Sequence, residues 1–180
     1  MPSPIAHLAA SFAIYQICQS PPMQQTPVGV DRSFRSLAMI VGLSFLPDLD
    51  AIPGLFLGEL DRFHNNLTHS LVTGLFMAIA MGSIVWLKNR SGFIRGFSLV
   101  LITYQLHVLM DFFTRGRGAM LLWPFSEERY EPAIKLFYGL QRSKGWLTID
   151  HVWMLFNELT FAGMVILILY LFPKVNDYLK

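Results

Sequence analysis

Apolar residues in this chain come in long uninterrupted runs, and polar residues gather in the gaps between them. Residues 70–87 hold no charged side chain over 18 positions, enough to cross a bilayer as a helix. Residues 92–113 form a second run, apolar between Arg95 near its start and His107 and Asp111 near its end, and residues 152–172 form a third run, broken by Asn157 and Glu158 and ended by Pro173. Two shorter runs precede these. Residues 4–18 start on a proline suited to a first helical turn, and residues 35–46 stop at Pro47. The 19–35 stretch, with Pro21, Pro22 and Pro27, reads as a loop. Residues 55–64 read as a loop or a short interfacial helix, and Asn66 or Thr68 is placed to cap the helix that follows. The 114–150 connection is longer than usual, so it is either functional or mobile, with a short amphipathic helix expected over 131–140. The expectation is an all-α, polytopic membrane bundle of about five main helices running up and down, with a long loop before the last. It is taken as one domain over 1–180.

Composition supports the membrane class. Only 14% of residues are charged and mean hydropathy is +0.45, against about 25% charged in soluble domains. A net charge of +2 gives no argument for nucleic acid as a stable partner. The one cysteine, Cys18, excludes an intrachain disulfide and a multi-cysteine zinc site. The first twenty residues lack a basic leader and read as a retained helix.

The chemistry lies at the helix ends. His107 and Asp111 are four residues apart, so both lie on one helix face, where they could share a divalent ion or simply hydrogen-bond. Counting ends in an up-down bundle puts His7, the pair Asp48 and Asp50, His64, His69, His107, Asp111 and His151 on one side. All five histidines of the chain fall there. Ionisable groups at bundle depth are costly and usually functional. Imidazole and carboxylate without thiolate suit zinc first, with manganese or iron as other choices. Asp48, His69, His107 and Asp111 form one ligand set, and His7 could join a second ion that shares Asp111. Asp50 could orient a water or a ligand histidine. Arg115 and Arg117 follow the ligand pair and could meet an anionic group, or anchor to lipid headgroups. Arg32, Arg35, Lys88, Arg90, Arg95, Lys174 and Lys180 lie on the opposite side, against Arg62 in the short loops of the histidine side. The positive-inside rule therefore turns the histidines toward the non-cytoplasmic face. Trp123 and Trp146 are candidate interfacial anchors.

The order His7, LPDLD, HNNLTHS and LHVLMDFFTRGRGAMLLWPFS resembles the YdjM-like family of membrane-bound metal-dependent hydrolases over about residues 4–126. Asn65 and Asn66 stand where that family commonly has Arg-Gly. A more distant resemblance is to zinc-dependent phospholipase C and the single-strand nucleases. It implies His7, Asp48, His69, His107 and Asp111 as metal ligands; the further His…HxxxE zinc group of those enzymes has no counterpart here, since His151 and Glu158 are seven apart. The implied function is hydrolysis of a phosphoester by metal-activated water, with Asp50, His64 and Arg115 as catalytic candidates. Membrane lipid and a lipid or small-molecule phosphoester are the expected partners, and the number of subunits is left open. Two other classes fit the same cluster: an ion- or proton-handling transporter, and a metal-stabilised scaffold without turnover.

Overall fold

The computed structural model describes residues 4–58, 64–139 and 148–178, with side chains to residue 171. Helices α1 (Pro4–Cys18), α2 (Pro21–Gln24), α3 (Phe34–Ser44), α4 (Ala51–Leu57), α5 (Leu71–Lys88), α6 (Phe93–Phe112) and α7 (Ile149–Tyr178) make up the fold. Among the described residues there is no strand, only isolated bridges between Thr114 and Phe137 and between Ala119 and Tyr130.

Helix α6 is the axis of the bundle, packing against α1, α3 and α5. Its buried face runs from Leu99 through Val100, Tyr104 and His107 to Val108 and Asp111. The approach of α5 to α6 depends on small residues. A side chain at Gly82 would meet the Phe93 ring, the Phe93 carbonyl and Phe97 Cβ, each at 3.0 Å. One at Gly96 would meet the Met81 carbonyl at 3.1 Å. Such close backbones are how helices gain packing in lipid, where burial of apolar surface offers little. On the other side of α6, Ile14, Tyr15, Cys18, Ile40 and Leu99 join α1 and α3 to it in one apolar cluster.

Helices α5, α6 and α7 are long and apolar enough to span a membrane. Helix α3 and the segment Leu46–Leu57 form a bent pair, turned by 51°, that would make a fourth span. Helix α7 buries only 11% of its apolar window, as expected for a helix facing lipid.

Several local expectations need correction. The 19–35 loop contains the one-turn helix α2. Pro47 does not end helical structure; it opens a 3-10 turn, Leu46–Asp50, that leads into α4. A proline lacks only an amide that is unpaired in a first turn, so it redirects the chain there. Neither Asn66 nor Thr68 caps α5. Ser70 does, accepting from the Val72 and Thr73 amides, while its hydroxyl lies close to the Leu121 and Trp123 carbonyls. Residues 131–139 are not helical. Their Leu136 and Phe137 lie against residues 113–115, with Leu136 N–H donating to the Phe113 carbonyl at 2.7 Å and the Phe137 carbonyl accepting from the Arg115 amide, so the backbone there pairs with the neighbouring chain and not within a helix. Helix α7 begins earlier than expected and passes through Pro173 to Tyr178. Only about a turn and a half remains beyond that proline, so the missing amide removes one bond near an end. Arg62, Trp146 and Leu140 lie outside the described residues.

Candidate metal centre

Four elements deliver the candidate side chains to one end of the bundle. His7 sits in the first turn of α1, Asp48 and Asp50 in the 3-10 turn, His64 and His69 in the segment before α5, and His107 and Asp111 in the last turns of α6. His107 is five residues from the end of α6, about 8 Å below it along the axis.

Asp111 is the hub. Its Oδ2 lies 2.8 Å from His69 Nε2, 3.3 Å from His64 Nε2 and 3.8 Å from His107 Nε2. Its Oδ1 faces His7 Nε2 at 3.4 Å. Asp48 Oδ1 closes the ring, 3.4 Å from His107 Nε2, 3.7 Å from His69 Nε2 and 3.5 Å from His64 Nδ1. The His7 and His107 rings stack at 3.9 Å. Asp48, His69, His107 and Asp111 thus each present one ligand atom, all within 4.8 Å of one another. Asp50, His64 and His69 form an adjoining group on the same criterion.

The group fits a cation. Ligand atoms about 2.0–2.1 Å from a tetrahedral ion stand about 3.3 Å apart, and the His69–Asp111, Asp48–His107, Asp48–His69 and His107–Asp111 separations of 2.8, 3.4, 3.7 and 3.8 Å bracket that spacing. Both oxygens of Asp111, Asp48 Oδ1, both ring nitrogens of His7, His64 and His107, and His69 Nε2 are buried without hydrogen-bond geometry to any partner. Each such atom costs about 1–3 kcal/mol when left alone. A bound cation offsets that cost at several atoms together. The buried His/Asp group could therefore hold a metal ion.

Asp50 plays a different part from Asp48. Its Oδ2 accepts from His69 Nδ1 at 3.0 Å and from the Asn66 amide at 3.1 Å. That fixes the His69 ring so that Nε2 points at Asp111, the carboxylate–histidine arrangement common behind metal ligands. Behind it, Thr68 donates to the Pro47 carbonyl at 2.6 Å, and Tyr104 donates to the Thr68 carbonyl at 2.5 Å. Burial opposes charge on His64, but the Asp111 and Asp50 carboxylates beside it hold its pKa above the ordinary value. The same balance, with Asp111, Asp48 and Asp50 as neighbours, raises His69 well above the ordinary value. The side chains of His69, His107 and Asp111 are closed off, while that of Asp48 keeps 19% of its surface open and marks the way in.

Not every candidate reaches the cluster. Arg115 is exposed, with its guanidinium 4.0 Å over the Tyr138 ring and its amide bonded to the Phe137 carbonyl. The stacking partner comes from the 131–139 stretch, which draws the side chain away from the ligands. Arg117 donates to the His64 carbonyl. His151, in the first turn of α7, belongs to neither ligand group. Two residues near the centre lacked a role in the sequence reading. Glu158 of α7 is fully buried and accepts from the Ala6 amide at 3.3 Å, at the start of the helix that carries His7. Its signal was a lone carboxylate inside an apolar run. Arg129 contacts Asn65 and Asn66, and nothing in its sequence context pointed there.

Comparison with known proteins adds the family. The chain matches the YdjM inner membrane protein family over residues 1–177. It belongs to that family. With its apolar spans, it is an integral inner-membrane protein. It is similar to the inner membrane protein YbcI of Escherichia coli (strain K12), 33% identical over 92 residues, covering 49% of this chain and 53% of that protein. The chain thus spans about half the length of the curated relative it matches. No solved structure matches.

Proposed function

We propose that this protein is a membrane-bound metal-dependent hydrolase that cleaves a phosphoester of a lipid or another membrane-associated substrate. The observation that carries the reading is the buried nitrogen-and-oxygen group Asp48, His69, His107 and Asp111, with Asp48 as its partly open member. These four would hold one divalent ion, zinc before manganese or iron, since the donors are imidazole and carboxylate. His7, on the other oxygen of Asp111, would serve a second ion. Such an ion supplies Lewis acidity and eases loss of a proton from water near neutral pH. Asp50 orients His69. His64, 3.3 Å from both Asp50 Oδ1 and Asp111 Oδ2, is the residue to accept and return a proton.

The depth of the group suits a substrate at the headgroup level. It lies near one end of the helices, whereas transport sites usually lie at the midplane. The opposite end carries Lys88, Arg90, whose guanidinium lies 4.1 Å over the Trp86 ring, and Arg95. By the positive-inside rule the centre opens on the non-cytoplasmic face. A second reading, a metal-stabilised scaffold, is favoured by the near-complete burial of His69, His107 and Asp111. Metal content and hydrolysis of a chromogenic phosphodiester, measured for wild type and His107→Ala, separate the readings. The hydrolase reading expects loss of both in the variant. Metal lost from a protein that never turned over supports the scaffold, and metal unchanged in the variant ends both.

A further inference from the structure

We propose that Arg129 is a positioning residue for the metal centre, acting through Asn66 and Asp50 on the His69 ring; this rests on the metal-binding reading above. The guanidinium reaches three neutral acceptors. Nη1 donates to the Asn65 carbonyl at 3.1 Å and to the Gly118 carbonyl at 3.2 Å, and Nη2 donates to Asn66 Oδ1. A planar fork with five fixed donors ties two strands of chain from separate nitrogens, where a lysine offers a single point of contact.

Both ends of this tie are fixed. On one side, Ala119 and Tyr130 exchange backbone hydrogen bonds at 3.1 and 3.0 Å, holding Arg129 beside Gly118. Gly118 has φ 75°, and a Cβ there would meet the Tyr130 carbonyl at 2.7 Å, so the close approach needs glycine. On the other side, Asn65 turns the chain with φ 60°, a left-handed conformation that asparagine tolerates better than most residues. That turn aims the Asn66 amide at Asp50 Oδ2, the same oxygen that accepts from His69 Nδ1. The Asn66 carbonyl also accepts from the His69 amide at 3.2 Å. The path from guanidinium to metal-facing nitrogen is therefore continuous: Arg129, Asn66, Asp50, His69. Arg129 makes no salt bridge among the described residues, and its acceptors lie in the two segments it joins, 65–66 and Gly118.

The test is zinc affinity, measured by chelator competition on the full chain in detergent, for wild type, Arg129→Gln, Asp50→Asn and the double variant, with zinc-free melting temperatures alongside. Losing a partner behind a ligand lowers metal affinity about 10–100-fold. Arg129→Gln should bind zinc about 10-fold more weakly than wild type, at the low end of that range because it acts at one remove. In the Asp50→Asn background the same change should cost less than about threefold, because coupled residues are not additive. Losses that multiply, or a lowered melting temperature with unchanged affinity, overturn the proposal. Tight zinc binding by wild type, weakened by Asp50→Asn and untouched by Arg129→Gln, overturns the role of Arg129 alone. No zinc binding by wild type overturns the metal reading and this inference with it. Should Arg129→Gln fail to fold, Asn66→Ala, which removes the carboxamide that accepts from Arg129 and keeps the backbone amide that donates to Asp50, carries the comparison with the same outcomes.

Discussion

Replacing Asp111 by Asn keeps the shape of the hub and removes its charge. A structural zinc site contributes about 10–16 kcal/mol of apparent binding free energy from four ligands, so one ligand accounts for about 3 kcal/mol, or roughly 100-fold in affinity. Asp111 is the right place to apply that figure, because its two oxygens face His7, His64, His69 and His107 between 2.8 and 3.8 Å. At a zinc concentration about 100 times the wild-type Kd, binding stabilises wild type by about 2.7 kcal/mol. The variant at that concentration stands near its own Kd and gains only about 0.4 kcal/mol. For a chain of this length the zinc-induced rise in Tm then falls from about 5–10 °C to about 1 °C. Thermal unfolding in detergent, with and without zinc, reads this directly, and comparing each variant with its own zinc-free form removes any change in intrinsic stability. Asp31→Asn is the control, since Asp31 is exposed and bonded to Ser33 and Ser36; it should keep the wild-type rise. An Asp111→Asn protein that also keeps it would show that the hub carboxylate holds no ion.

Two further outcomes follow from the same geometry. His64 and His69 have folded pKa values raised above the unfolded value of about 6.5, so in zinc-free protein their stabilisation is complete below that pH and is lost as pH rises through the raised values. Zinc needs neutral imidazole, so the zinc-induced rise in Tm should grow over the same range; melts from about pH 5.5 to 8.5 that show a shrinking rise would refute this. At the other end of α5, Gly82→Val should destabilise the bundle by about 1–3 kcal/mol through overpacking against Phe93 and Phe97, and a melting temperature equal to wild type would contradict the close α5–α6 contact.

The spans were readable because lipid imposes a simple rule: about 18 or more predominantly apolar residues with few charges. That rule placed α5 and α6 to within a residue or two. It had less to say where water or protein surrounds the backbone. Pro47 read as a stop, yet here it starts a 3-10 turn, because a proline is harmless in a first turn and the sequence does not tell which side of it is helical. The 131–139 stretch looked amphipathic enough for a helix, but its backbone found partners at Phe113 and Arg115. Such pairing is a tertiary event without a local signature.

The centre divides along a similar line. Histidines and aspartates are rare in an apolar chain, so their gathering at one end could be counted from the sequence before any distance was known. What holds them could not. Asp48 and Asp50 are two residues apart in the same short motif, and only coordinates separate the one whose free oxygen faces three histidines from the one whose Oδ2 is taken by His69 Nδ1 and the Asn66 amide, leaving Oδ1 to face His64. The supports behind them are mostly backbone carbonyls: Pro47 for Thr68, Thr68 for Tyr104, Asn65 and Gly118 for Arg129. A carbonyl belongs to every residue, so an arginine that grips one leaves no mark on the residue gripped. Arg115 and Arg129 look alike as basic residues in one long loop, yet the first lies on an aromatic ring and the second clamps the segment that precedes α5. Residue type can therefore nominate ligands in a membrane bundle, while the residues that aim those ligands are found only by following hydrogen bonds from one loop to the next.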